Sequence, residues 1–311
     1  MRGIRSATGK LFIAGVALAS TLGNCEEKMN DHLQLYTWVR AGDTIAVAQI
    51  AKLEHRPGSP GEEIVTVDFE IDRKLWGPGA GLPLRYEASL PASEVARLKF
   101  PDPVWGRVTL RKGAVVLLVT TSSNGRASGP VYVEDIDSLQ SETMVSVDSV
   151  LSEEKSAAGE KARVDVYLRW LANGRAPEKL FAAEALAKDK PPLADADGRV
   201  ATSFALSFNA DRDVYVRLNL ETWMWEDIYP RTNRAGRINI LNATIRGALD
   251  ASEDIRRFSL DRIVEVDPEQ IHQARVAPVG GVLQALEERL KRESSPEARA
   301  QVQKVIEALR R

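Results

Sequence analysis

The 311-residue sequence contains one cysteine, Cys25, and three histidines. A single cysteine cannot form an internal disulfide, so a disulfide-stabilised fold is excluded. The histidines, His32, His55 and His272, lie far apart in sequence, and none has a second ligand at the spacing of zinc sites. The sequence therefore predicts no metal site and no other cofactor.

The motifs of common hydrolases are missing or incomplete. No Gly-x-Ser-x-Gly nucleophile elbow occurs. Ser152 and Lys155 have the serine–lysine spacing of penicillin-recognising enzymes, but the companion motifs do not follow them. Asp195, Asp197 and Gly198 form a fragment of a calcium loop that lacks the glutamate. A hydrolase whose site is assembled from scattered Asp, Glu and Arg side chains in an interdomain cleft stays open as an alternative.

Neither charge nor hydropathy is extreme. The chain has 42 basic and 44 acidic residues, and such a balance does not favour nucleic-acid binding. After the N-terminal segment, no apolar run approaches the roughly 20 residues of a transmembrane helix. We therefore expect globular domains and no nucleic-acid partner.

Residues 1–25 have the pattern of a secretory signal. The basic residues Arg2, Arg5 and Lys10 come first, and a short apolar run over residues 11–22 follows them. This run is too short to span a bilayer, which is typical of a signal peptide. The pattern predicts an exported protein.

The end of this segment, residues 22–25 (LGNC), resembles a bacterial lipobox. Asn24 departs from the pattern, which prefers Gly, Ala or Ser at that position. The resemblance implies that Cys25 is lipidated and anchors the protein to a membrane, in the periplasm or at the cell surface. Cleavage after residues 17–19 (ALA) by an ordinary signal peptidase is the alternative.

From about residue 44 to residue 137 the hydrophobic pattern has a period of two, which predicts β-strands. In the second strand Val65, Val67, Phe69 and Ile71 alternate with polar residues, so that one face is expected to be wet. The predicted strands cover residues 44–53, 63–75, 82–86, 107–120 and 131–134. A bulge is expected at residues 112–113, and a short helix over residues 91–98. Five strands with a helix in this place have the count and order of an OB-fold.

Residues 39–113 resemble bacterial netrin-like domains, which are relatives of the tissue inhibitors of metalloproteinases. The matching segments are residues 41–50 (AGDTIAVAQI), 67–71 (VDFEI) and 74–77 (KLWG). The resemblance implies an OB-like barrel and, less favoured, protease inhibition. Those inhibitors bind the protease zinc through an N-terminal cysteine that disulfides hold in place. This sequence has no such disulfides, and acylation would block the Cys25 amine.

In the C-terminal half the period changes to 3.6 and predicts four pairs of helices. The predicted pairs cover residues 164–173 with 177–187, 200–208 with 213–225, 237–249 with 253–264, and 279–292 with 296–309. Similar segments recur at spacings of roughly 40 residues, which suit two helices plus turns.

The second helices resemble those of HEAT repeats, which open with a D-x-x-V-R motif. Asp211, Val214 and Arg217, and then residues 254–256 (DIR), approximate it. The resemblance implies that the aspartate and arginine stabilise the turns between repeats. It also implies a stack, because one helix pair cannot bury its apolar face alone.

Together these patterns predict a two-domain α+β protein. An OB-like five-stranded β-barrel is followed by an all-α, HEAT-like helical-repeat solenoid. The predicted segments are a signal peptide over 1–25, the barrel over 26–140, a linker helix over 141–162 and the solenoid over 163–311.

A candidate partner site lies where the second helix of the second pair ends. Its members are aromatic and basic: Trp223, Trp225, Tyr229, Arg231, Arg234 and Arg237. Trp, Tyr and Arg are the side chains that interface hot spots favour. Alternatively, the tryptophans pack between repeats and the arginines form a solvated loop. Because Trp223 and Trp225 are two positions apart on a helix, at most one is expected to be exposed.

The same region gives two expectations about stability. Arg231 and Arg234 are expected to lie free on the surface, so that their removal changes stability by less than ~0.5 kcal/mol. Leu218 is expected to lie on a buried stripe with Val214 and Trp225.

The sequence as a whole predicts a secreted or lipid-anchored bacterial envelope protein that acts as a non-enzymatic binding or scaffold module. We expect a protein or peptide partner, with the membrane contacted through the lipid on Cys25. The alternatives are the interdomain-cleft hydrolase and, less favoured, the protease inhibitor.

Overall fold

The computed structural model describes residues 33–77, 84–91, 111–123, 126–136, 141–188, 198–266, 270–271, 279–292, 294 and 296–310. The predicted signal segment with Cys25, most of the predicted helix over 91–98 and the calcium-loop aspartates lie outside these residues. The chain divides into two compact units between Leu151 and Ser152. Within the described residues, no helix has the length and apolarity needed to cross a membrane.

The N-terminal unit is built on an open antiparallel sheet of five strands. The strands are β1 (Thr44–Pro57), β2 (Glu62–Trp76), β3 (Leu84–Pro91), β4 (Val115–Ser123) and β5 (Arg126–Asp135). Their order is β3-β2-β1-β4-β5, so β1 is central. Helix α1 covers residues 33–41 and helix α2 covers Glu142–Ser149. The predicted layout of a sheet followed by helices is confirmed.

The first three strands are longer than the sequence pattern predicts. β1 continues through charged residues to Pro57, because its end pairs with β2 across the turn that follows. β3 continues to Pro91, which pairs with Glu62, so the predicted helix start at Pro91 is wrong. Backbone pairing in the hairpins extends these strands past the point where their apolar alternation ends.

β4 begins later than predicted. Gly113 has φ of 86°, a backbone conformation that favours glycine, and forms a turn before the strand starts at Val115. Its N–H donates to the carbonyl of Ile50, whose own N–H donates to the carbonyl of Ala114. Two residues therefore face one at the predicted bulge position, and the regular strand starts only after them.

One face of the sheet carries the hydrophobic core of this unit. Val65, Val67 and Phe69 of β2 are fully buried there with Ile50 of β1, as the alternation predicts. Thr66 is the exception, because it is buried although the pattern places it on the wet face. Its hydroxyl lies 3.2 Å from a carboxylate oxygen of Glu87, which satisfies the buried group.

The described residues of the C-terminal unit include four helix pairs. The pairs are α3 (Glu160–Asn173) with α4 (Ala176–Lys188), α5 (Arg199–Ala210) with α6 (Val214–Trp223), α7 (Arg234–Gly247) with α8 (Glu253–Glu265), and α9 (Val279–Arg292) with α10 (Pro296–Arg310). A π-helical turn, Val150–Glu154, precedes α3, and a second one, Met224–Ile228, follows α6.

Successive pairs contact one another through equivalent helices. The first helices α3, α5 and α7 contact in series, and the second helices α4, α6, α8 and α10 do the same. One buried cluster includes Leu241 of α7, Ile263 of α8, Leu286 of α9 and Val305 of α10. The last two pairs therefore share a core, as expected when no pair can bury its apolar face alone.

Two ion pairs tie successive second helices together. Lys179 of α4 lies 2.5 Å from Asp211, and Arg217 of α6 lies 2.7 Å from Asp250. Each cation is the fourth residue of its helix, and each aspartate lies three residues before the next second helix. Burial raises the pKa of Asp250, but hydrogen bonds from Arg217 and from the Ser252 N–H outweigh it and hold this pKa below its ordinary value.

The buried face of α6 differs from the predicted stripe. Val216, Leu220 and Trp223 are buried, whereas Val214 and Leu218 are only half-buried. The sequence of α6 is apolar on two opposite faces, and periodicity alone cannot choose between them. Leu218 is therefore not the core residue that the pattern indicates.

Glu221 is fully buried where α6 meets α8. The hydroxyl of Ser259 donates to its Oε1 at 2.7 Å, and no described residue donates to its Oε2. Gly247 of α7 allows this approach, since a Cβ there would lie 2.3 Å from the Ser259 Oγ. Burial raises the pKa of Glu221 to about 8, against the Ser259 hydrogen bond and the charges of Arg262 and Arg217.

This carboxyl makes the stability of the helical unit depend on pH. The raised pKa means that the folded chain keeps a proton that the unfolded chain loses above its ordinary pKa of 4.5. Stability therefore falls as pH rises from about 4.5 to about 8. Glu221→Gln should remove this dependence, so that its unfolding free energy relative to wild type grows by on the order of 3 kcal/mol between pH 5 and pH 8. Urea unfolding followed by circular dichroism at each pH measures the difference. An equal change of unfolding free energy with pH in both proteins would contradict the prediction.

Candidate binding groove

The candidate site is built on a short turn between α6 and α7. The π-helical turn after α6 ends with the Tyr229 N–H bonded to the carbonyl of Met224 at 2.7 Å. Four residues later Asn233 caps α7, and its side chain accepts the Gly236 N–H at 2.9 Å. Gly236 lets this turn approach α5, because a Cβ there would lie 2.9 Å from the Cβ of Ala201 in α5 and 2.0 Å from the Thr232 Oγ1. Both ends of the turn are thus fixed by hydrogen bonds.

A groove of about 390 Å³ opens beside this turn. Three of the six predicted site residues line it: Tyr229, Arg234 and Arg237. The sequence pattern does not predict the other described lining residues, which are Thr232, Asn233, Ile238, Leu241 and Gln270. Asn233 carries a helix-start signal and could have been found. No sequence signal near the turn points to Gln270, which follows α8 in the chain.

The two tryptophans have packing roles and do not line the groove. Trp223 is 8% exposed, and the Lys188 ammonium lies 5.8 Å from the centre of its ring. Trp225 is half-buried, and its Nε1 donates to the Thr244 hydroxyl at 3.0 Å. Its ring packs against that of Tyr229 with centres 4.6 Å apart. The alternative interpretation, that the tryptophans pack inside the helical unit, is supported by this geometry.

Arg231 forms a structural tie. Its Nη2 donates to the carbonyl of Ala187 at 2.5 Å, and its Nε donates to the carbonyl of Asp227. The guanidinium therefore joins the end of α4 to the turn after α6. The expectation that Arg231 lies free on the surface is wrong, because its donors reach backbone acceptors that sequence periodicity does not show.

Tyr229, Arg234 and Arg237 form the polar part of the groove. The Tyr229 hydroxyl donates to the Gln270 side chain at 2.5 Å. Arg237 donates from Nε to the Tyr229 carbonyl at 3.2 Å and from Nη2 to the Pro230 carbonyl at 3.4 Å. Arg234 is exposed. Both charged residues that line the groove in the described part of the chain are thus cations.

A second cavity, of about 460 Å³, lies between α8 and α9 and has a different charge balance. Arg256, Arg257, Arg289 and Arg292 line it together with Glu253, Asp261 and Glu288. Arg289 pairs with Asp261 at 2.6 Å, and Arg256 donates to the carbonyls of Asp250 and Ala251. Because acids nearly balance these arginines, this cavity shows less excess charge than the groove beside Tyr229.

Among the residues that the structure describes, no group of three or more His, Cys, Asp or Glu side chains is placed to hold a metal ion. No protein-family model matches the chain, and neither the curated proteins nor the solved structures compared with it give a match.

The two arginines of the turn should differ in their effect on stability. Arg231→Ala leaves the partly buried Ala187 carbonyl without its charged donor and should cost about 1 to 3 kcal/mol. Arg234→Ala should change stability by less than ~0.5 kcal/mol, because the side chain is exposed. Urea unfolding of both variants beside wild type tests this, and an equal cost for the two substitutions would contradict the assignment of Arg231 as the tie.

Proposed function

We propose that this protein is a non-enzymatic binding or scaffold module whose groove beside Tyr229 holds a protein or peptide partner. The observation that carries the proposal is the composition of the groove. Its apolar and aromatic residues, Tyr229, Ile238 and Leu241, lie beside two arginines, and none of its described lining residues is acidic. Binding sites of this kind combine apolar contact area with a few placed polar groups.

We also propose that the helical unit is a HEAT-like solenoid, an architecture that suits a binding module. Its successive helix pairs contact through equivalent helices, and the two ion pairs recur at the same helical position. Stacked helix pairs form extended surfaces that such proteins use for binding. A stack of this kind would give the groove a rigid support.

For the N-terminal unit we propose an OB-like barrel related to netrin-like domains. The strand order supports it, because β3 and β5 are the two edge strands of the sheet. Their backbones also approach to within 8 Å between Cα atoms. A five-stranded OB-fold is a partly open barrel, and this approach of the two edges is what its closure requires.

The alternative of a hydrolase has no comparable support. Glu221 has a strongly raised pKa, which is a property of many catalytic carboxyls. It is fully buried, however, and it lines neither of the two cavities described above. We attribute its raised pKa to burial where α6 meets α8 rather than to catalysis.

We place the proposed module in the cell envelope, anchored through a lipid on Cys25, because residues 1–25 resemble a lipoprotein signal. Anchoring would keep the groove close to a membrane and to the partners assembled there.

Site-specific photo-crosslinking in the native host tests the binding function. A photo-reactive phenylalanine at position 234 should give a discrete adduct with another protein, whereas the same residue at position 246 should give none. Arg246 is the matched control, because it is an exposed arginine of α7 that does not line the groove. Absence of an adduct at position 234, or equal adducts at both positions, would contradict the proposal.

Fractionation of the same cells tests the anchor, since Cys25→Ala should release the protein from membranes. Equal membrane association of wild type and variant would contradict lipidation.

A further inference from the structure

Resting on the proposed function, we infer that the groove recognises an acidic peptide segment in which a carboxylate side chain lies next to an aliphatic one. The carboxylate would bind between Arg234 and Arg237. The aliphatic neighbour would lie on the apolar part of the groove, formed by Tyr229, Ile238 and Leu241.

The charge of the groove selects an anion. Arg234 and Arg237 are three positions apart on α7, so their side chains lie on one face of the helix. Like charges at this spacing repel each other, and none of the described residues that line the groove is acidic. An anion placed between the two guanidinium groups relieves this repulsion.

The donors of Arg237 are held in place for such a ligand. Arg237 donates one N–H to the Tyr229 carbonyl and one to the Pro230 carbonyl. A guanidinium has five N–H donors in a fixed plane, so other donors remain. Its charge also lies 5.6 Å from the centre of the Tyr229 ring. The remaining donors therefore point from a fixed group, and binding costs less side-chain entropy than it would at a free arginine.

The apolar part of the groove is also fixed before a ligand arrives. Trp225 packs against the ring of Tyr229, whose hydroxyl is bonded to Gln270. Leu241 belongs to the buried core that α7 to α10 share. A ligand with only an anionic group, such as inorganic phosphate, would leave the half-buried side chains of Tyr229 and Ile238 uncovered. A peptide that places an aliphatic side chain beside its carboxylate uses both parts.

Titration calorimetry on the full chain tests this inference with capped peptides. The first probe carries Leu-Glu-Leu, and its counterparts carry Leu-Gln-Leu and Gly-Glu-Gly at the same positions. We expect the Leu-Glu-Leu peptide to bind at least about tenfold more tightly than either counterpart. The Leu-Gln-Leu peptide loses the charge-assisted contact, and the Gly-Glu-Gly peptide loses the aliphatic contact. Sodium phosphate and vesicles of phosphatidylglycerol serve as anionic probes without a peptide.

Three variants assign the binding to the groove. Arg234→Gln and Ile238→Ala should each weaken Leu-Glu-Leu binding by about threefold to tenfold, since each removes one contact. Arg246→Gln, on the same helix outside the groove, should leave it unchanged. Circular dichroism and thermal unfolding of each variant confirm that the fold is kept.

The outcomes separate this inference from the function on which it rests. Equal binding of the Leu-Gln-Leu peptide, or binding that Arg234→Gln does not alter, would overturn the acidic ligand. Binding to the anionic vesicles or to phosphate that depends on Arg234, without peptide binding, would overturn it in favour of an anionic lipid or ion. A protein adduct at position 234 together with no peptide binding would leave the binding module in place and overturn only the ligand class.

Discussion

The helical unit depends on ties that cross from one helix pair to the next. A single pair of amphipathic helices exposes an apolar face, so the pairs are stable only when their stacking is held in one register. Lys179 with Asp211 and Arg217 with Asp250 fix that register at the same place in successive pairs. The Ser259 hydroxyl reaches Glu221 in the same interface, so the second helices are joined by polar groups as well as by apolar packing.

The groove follows from this register. Because α6 is fixed against α8, the π-helical turn after α6 carries Trp225 and Tyr229 onto the core of the last two pairs. Arg231 holds the same turn to the end of α4. The exposed Arg234 therefore lines the groove together with Tyr229 and Asn233, whose bonds fix the turn. A firmly held turn that presents one exposed cation suits recognition better than a loose loop would.

The sequence predicts much of the framework, because periodicity reports which residues face a core. The alternation of Val65, Val67 and Phe69 and the helix pairs are clear in this way, and so is the position of a candidate site near Tyr229. Contacts that depend on a distant partner are different. The bond from Arg231 to Ala187, and the place of Gln270 in the groove, join residues that only the fold brings together. Periodicity predicts Leu218 in the core, whereas the structure leaves it half-buried. Two faces of α6 are apolar, and only packing decides which of them is buried.

The central claim, that the turn after α6 and the start of α7 form the partner site, is tested most directly by hydrogen exchange measured by mass spectrometry. The full chain should be compared with and without saturating Leu-Glu-Leu peptide. We expect slower amide exchange in residues 224–241 and little change in the residues that line the second cavity between α8 and α9. Slower exchange in those cavity residues or in the sheet, with unchanged exchange in residues 224–241, would contradict the claim.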